Sequence, residues 1–226
     1  MNKIINIAID GPAGAGKSTL ARRLAADLQL VYVDTGAMYR TIGLYMARNG
    51  VDVSDAQAVE ARLPEIDLEL RYEEGVQKMI LNGEDVSRAI RTEEASSNAS
   101  KVSAIPAVRA FLLETQRGLA RKCSVIMDGR DIGTVILPNA DLKIFLTASA
   151  EERANRRYAE QLERGEQVVY EEILREIQER DVRDSTRATA PLKPAEDAVT
   201  LDTTGHTLEQ SLDFMKSLLK ERVHLG

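Results

Sequence analysis

Two patterns of apolar and polar positions alternate along the chain. Short apolar runs, mostly β-branched, lie at 4–9, 30–34, 124–128, 142–146 and 198–202, and such runs are typical of strands buried on both faces of a sheet. Between them, apolar positions recur three or four apart, as an amphipathic helix requires. Leu20, Leu24 and Leu28 mark one such helix beginning at Lys17, and Leu208, Leu212, Met215 and Leu219 mark the last. Further helices are predicted over about 37–49, over 93–122 with a break at Pro106, from Ala150 and from Tyr170. The alternation predicts an α/β fold.

It fails between residues 51 and 96. There 66–72 and 76–81 flank the turn Glu73-Glu74-Gly75, and Asn82-Gly83 supplies a second turn. Antiparallel hairpins do not belong between parallel strand-helix units, so this stretch is expected to be an inserted subdomain.

Chemistry enters first at the end of the first strand. Gly11-Pro12-Ala13-Gly14-Ala15-Gly16-Lys17-Ser18 fits G-x-x-x-x-G-K-[ST], the P-loop, with Thr19 following. A strand precedes it and a helix opens after it, which is the context the motif needs. Its glycines let successive N–H groups form an anion nest at a positive helix end. Lys17 is expected to reach the β- and γ-phosphates of ATP and the Ser18 hydroxyl to meet Mg²⁺. Asp128, an acid closing a buried strand, is the expected partner of that ion through water, the alternative being a cap for the next turn.

Composition narrows the setting. The 226 residues are 43% hydrophobic and 29% charged, an ordinary soluble composition with room for one sizeable core. A net charge of −6 argues against broad binding of nucleic acid or anionic membranes, so anion sites must be local. One cysteine, Cys123, allows no internal disulfide and fits a reducing compartment, and no secretory signal or membrane-length apolar run is seen. The expectation is a cytoplasmic protein, monomeric because no exposed apolar stripe stands out. His206 and His224 are given no chemical role.

Other polar residues are ambiguous taken singly. Thr35 and Arg40 follow the second strand, on the edge where ligands gather in open α/β sheets; Arg40 suits phosphate or a solvated helix face. Asn98, Ser100, Lys101 and Arg109 lie in the helical region, with nothing local to set Arg109 apart. Arg130 and Asp131 follow the third strand. Arg153, Arg156, Arg157 and Arg164 share much of a helix face with glutamates between them, consistent with a phosphate-covering lid or with ordinary salt bridges. Arg180, Asp184 and Arg187 fall at i, i+4 and i+7, able to converge on a ligand or to pair among themselves.

Taken together, the P-loop, Asp34-Thr35-Gly36-Ala37-Met38-Tyr39-Arg40, Asn98-x-Ser100 with Pro106-x-Val108-Arg109, Asp128-Gly129-Arg130-Asp131-Ile132-Gly133-Thr134 and Arg180-Asp181-x-Arg183-Asp184-x-x-Arg187 resemble the bacterial cytidylate kinases, of the nucleoside monophosphate kinase group. The resemblance spans nearly the whole chain. It implies a P-loop nucleoside monophosphate kinase fold in one domain, 1–226, with a five-stranded parallel sheet. Within it, 1–50 and 97–226 would form the core, about 51–96 an antiparallel insert binding the monophosphate, and about 150–168 a short helical lid. It implies transfer of the γ-phosphoryl group of Mg-ATP to CMP or dCMP.

Residue by residue, 11–19 would hold ATP, and Arg40, Arg109 and Arg130 the CMP phosphate. Thr35, where many relatives carry serine, Asp184 and Arg180 would lie at the ribose. Ser100, Arg109 and Asp131 would read cytosine. Arg187, with Arg153 and Arg157 from the lid, would approach the transferring phosphate. Two other readings are another P-loop small-molecule kinase and a nucleotide-dependent switch. The switch would carry an N-K-x-D guanine-reading segment, and the chain has none.

Overall fold

The computed structural model describes residues 4–223, so His224 lies outside the described residues. β1 (Asn6–Asp10), β2 (Val31–Asp34), β6 (Val125–Gly129), β7 (Leu142–Thr147) and β8 (Val199–Asp202) form a five-stranded parallel sheet in the order β2-β6-β1-β7-β8. The expected parallel architecture is therefore present. Helices cover both faces: α1 (Lys17–Leu28), α2 (Thr35–Arg48), α4 (Glu93–Val102), α5 (Pro106–Lys122), α6 (Ala150–Glu163), α7 (Tyr170–Thr186) and, after the last strand, α8 (Leu208–Arg222).

One apolar cluster, around Ile7, Ile9, Leu24, Leu146 and Met215, fills the side of α1 and α8. A second, around Met38, Met46, Val108, Leu112 and Met127, fills the side of α2, α4 and α5. Pro106 opens α5 as its first residue, where its missing N–H costs nothing, and so separates α4 from α5.

The second sheet is antiparallel: β3 (Leu68–Glu73), β4 (Val76–Leu81) and the short β5 (Glu84–Asp85). Glu74 and Gly75 both adopt positive φ, 51° and 77°, the conformation of a tight two-residue hairpin turn. The sequence pattern missed α3 (Ala56–Arg62), whose start is capped by the Asp55 side chain. Val59, Leu63, Ile66, Met79 and Leu81 join the same apolar cluster as α2 and α5, so the insert packs into the core rather than beside it.

No helix among the described residues is long and apolar enough to cross a membrane.

Candidate active site

Three strands that end side by side build the site. Asp10 of β1 stands opposite Gly129 of β6, and Asp34 of β2 opposite Asp128. The P-loop leaves the central strand by a turn only glycine can make: Gly11 has φ 149°, and a Cβ there would lie 1.8 Å from the Leu146 carbonyl oxygen. Gly16, at φ 88°, is the N-cap of α1, and no side chain caps that helix. Its first N–H groups are thus left for an anion.

Lys17 lies almost wholly buried behind this turn and donates to the Pro12 carbonyl at 2.7 Å. Burial, and then the positive charge of Arg130, push its ammonium down to about 7, against the pull of Asp128. Ser18 donates to Asp128 Oδ2 at 2.9 Å, and Tyr32 donates to Asp128 Oδ1 at 2.8 Å. Burial and nearby Asp34 raise the Asp128 carboxyl above its usual range. A hydroxyl and a carboxylate within one hydrogen bond form a hard-oxygen pair with few protein ligands. That donor set fits a Mg²⁺ ion that keeps waters and phosphate oxygens as its remaining ligands.

Two clefts open here. One, of about 230 Å³, is lined by Thr35, Arg40, Ser100, Arg109, Arg130, Asp131, Arg180, Asp184 and Arg187 together with Lys17, Ser18 and Asp128. The other, of about 440 Å³, lies over Gly14, Gly16 and Thr19 and is flanked by Arg153, Arg156 and Arg157. Lys17 and Ser18 line both.

The charges in the first cleft are ordered by pairing. Arg130 donates to Asp184 at 2.9 Å, and Arg180 lies 3.9 Å from the same carboxylate. Burial alone would raise Asp184, but Arg130 and Arg180 outweigh it and hold the carboxyl below its ordinary range. Arg109 pairs with Asp131 in a contact buried on both sides and stacks over the Tyr39 ring, 5.8 Å from its centroid. Arg40 pairs with Asp34 at 2.7 Å, and Asp34 also caps α2, which begins at Thr35 rather than near residue 37. The Nε of Arg180 and the Nη2 of Arg187 are buried with no hydrogen-bond partner among the described residues. Arg180 is pushed down to about 10 by burial and then by Arg130. Unpaired buried donors in a cationic cleft call for an anionic or polar ligand.

The other sequence-predicted residues are held by pairings of their own. Arg130 and Asp131, adjacent in the chain, do not pair with each other. Arg187 donates to Ser103 Oγ at 3.1 Å and to the Ala190 carbonyl, and its charged neighbours include Arg109 and Asp131. Arg180 is the α7 arginine whose charge acts on Lys17. Arg153 is 4% exposed, with its guanidinium held by Asp181 at 2.9 and 2.5 Å and by the Ala13 and Ala148 carbonyls. It braces the P-loop from behind. Arg157 pairs with Glu93 at 2.7 Å on the rim of the P-loop cleft. The Thr35 hydroxyl donates to the Asp128 carbonyl at 2.7 Å, and Ser100 accepts from Arg183 at 3.3 Å.

Two positions that the sequence did not single out support the site. Asp10, which closes the first apolar run, accepts from the Ile132 and Gly133 N–H groups at 2.7 Å each and so anchors the turn after Asp131. Burial pushes its carboxyl up to about 6. Tyr39 was legible only as a member of a motif, yet it supports Arg109.

Comparison with known proteins places the chain among relatives of one family. Residues 7–221 match the family model described as cytidylate kinase. The chain is 50% identical over 206 residues to a cytidylate kinase of Carboxydothermus hydrogenoformans, covering 91% of this chain and 93% of that one. It is 46% identical over 221 residues to a cytidylate kinase of Fusobacterium nucleatum, covering 98% and 99%. Among solved structures it is similar in fold to an uncharacterized protein from Eubacterium ventriosum, with TM-score 0.55 at 13% identity, covering 97% of this chain and 100% of that one.

Proposed function

The chain belongs to the cytidylate kinase family of phosphotransferases, and on that footing we propose that it moves the γ-phosphoryl group of ATP onto CMP or dCMP, yielding ADP and CDP or dCDP. The observation that carries this reading is the meeting of two cation-lined clefts at Lys17 and Ser18. A donor in one and an acceptor in the other would face each other across those two residues. Phosphoryl transfer needs positioning and charge neutralisation more than covalent help, and an acceptor that is already a phosphate anion needs no general base.

The P-loop N–H groups, Lys17 and the α1 N-terminus would hold the ATP phosphates, with Arg153 fixing the loop. Ser18, and Asp128 through water, would hold Mg²⁺, which when bound offsets phosphate charge. Arg40, Arg130 and Arg180 would grip the acceptor phosphate. The buried Arg109 and Asp131 pair, with Ser100 and Arg187 close by, would read the base: the carboxylate accepts from the cytosine amino group, while uracil offers only another acceptor there. Residues 51–96 would carry the acceptor side and 150–168 the lid that excludes water.

Asp131→Ala tests the base-reading role. CMP affinity is expected to fall by about 5- to 150-fold, the 1–3 kcal/mol of a lost buried partner, with ATP affinity nearly unchanged. Equal loss for both nucleotides in a calorimetric titration would refute it.

A further inference from the structure

One half-buried contact at the Asp128 carboxylate involves a residue that lines neither nucleotide cleft. Tyr32 lies on β2, the edge strand of the parallel sheet, and its phenol O–H reaches across to Asp128 Oδ1 at 2.8 Å. Ser18 takes the other oxygen of the same carboxylate. Tyr32 is held in two places: the Arg22 guanidinium lies 5.5 Å from its ring centroid, and the Tyr72 hydroxyl of the insert donates to its backbone carbonyl at 3.1 Å, which ties its strand position. Both carboxylate oxygens are therefore tied, one to the P-loop helix and one to the strand that the insert leans on.

We propose that Tyr32 is a positioning residue for the metal site, holding the Asp128 carboxylate at the rotation in which its oxygen beside Ser18 faces a Mg²⁺-bound water. This rests on the reading of Asp128 as the ion's outer-sphere partner. A carboxylate with one oxygen released can turn about its terminal torsion, which is soft. Partners that orient a metal's ligands without touching the metal carry much of its affinity, typically 10- to 100-fold. A tyrosine that only filled space would leave metal dependence untouched when its hydroxyl was removed.

The test measures affinity for ATP with Mg²⁺ and with EDTA, in the full chain, for the native protein, Tyr32→Phe, Asp128→Asn and the double variant. In Tyr32→Phe the gain in ATP affinity from Mg²⁺ is expected to drop about tenfold, while affinities for metal-free ATP and for CMP stay within twofold. In the double variant, loss of the hydroxyl adds nothing to loss of the carboxylate. A full Mg²⁺ gain in Tyr32→Phe, beside a diminished one in Asp128→Asn, would overturn this inference alone. A full gain in Asp128→Asn would overturn the reading of Asp128 and this inference with it. Equal weakening of metal-free and Mg²⁺-bound ATP in Tyr32→Phe would show a packing role and also count against the proposal. Thermal melting of each variant in the absence of nucleotide identifies any that fail to fold, and for Tyr32 the same comparison then runs on Tyr32→Met.

Discussion

At the scale of single residues, Lys17 is the group most exposed to a change of charge. Burial and Arg130 hold it near 7 in the free protein, whereas bound phosphates would favour the charged ammonium and raise it. Between those two values the free form has lost its proton and the complex has it. ATP binding at about pH 8 is therefore predicted to take up close to one proton from buffer. Calorimetry in buffers of different ionisation heat measures that uptake directly. Lys17→Arg, which cannot lose its charge, should abolish it; unchanged uptake in that variant would place the proton elsewhere. Lys17 was legible from its motif because its neighbours in sequence are its neighbours in space. The pairings of Arg130 with Asp184 and of Arg109 with Asp131 were not, since they join residues 54 and 22 positions apart.

At the scale of elements, β2 is an edge strand, and edges leave backbone groups unpaired. Here a side chain does the pairing: Gln77 of β4 accepts from the Asp34 N–H at 2.8 Å and donates to the Asp34 carbonyl at 3.2 Å. Asp34 in turn caps α2 and pairs with Arg40, so the insert supports the arginine nearest to it in the acceptor cleft. Gln77→Ala removes both bonds at a cost of about 1–2 kcal/mol. The KM for CMP is predicted to rise several-fold with the KM for ATP little changed, and equal rises in both would contradict the link. The strand runs and hairpin turns of these elements could be read from periodicity and turn chemistry. What periodicity could not say is which arginine of α6 turns inward. Arg153, Arg156 and Arg157 share a polar helix surface in the sequence, yet Arg153 is the buried one, its guanidinium held between Asp181 of α7 and the Ala13 carbonyl of the P-loop.

At the scale of the whole molecule, the sheet order brings the ends of β1, β2 and β6 to one edge, where Lys17 of α1, Arg40 of α2, Arg109 of α5, Arg130 after β6, and Arg180 and Arg187 at the end of α7 supply the cations. The net charge of −6 is compatible with a cleft of positive balance, because there Lys17, Arg40, Arg109, Arg130, Arg180 and Arg187 outnumber Asp34, Asp128, Asp131 and Asp184. The most direct measurement is acceptor-dependent formation of ADP from Mg-ATP, with CMP, dCMP, UMP, AMP, GMP, dTMP and shikimate supplied separately. Rapid turnover with CMP and dCMP, and little with the others, is the predicted result. Turnover that favours another acceptor, or ADP formation indifferent to any acceptor, would contradict the assignment.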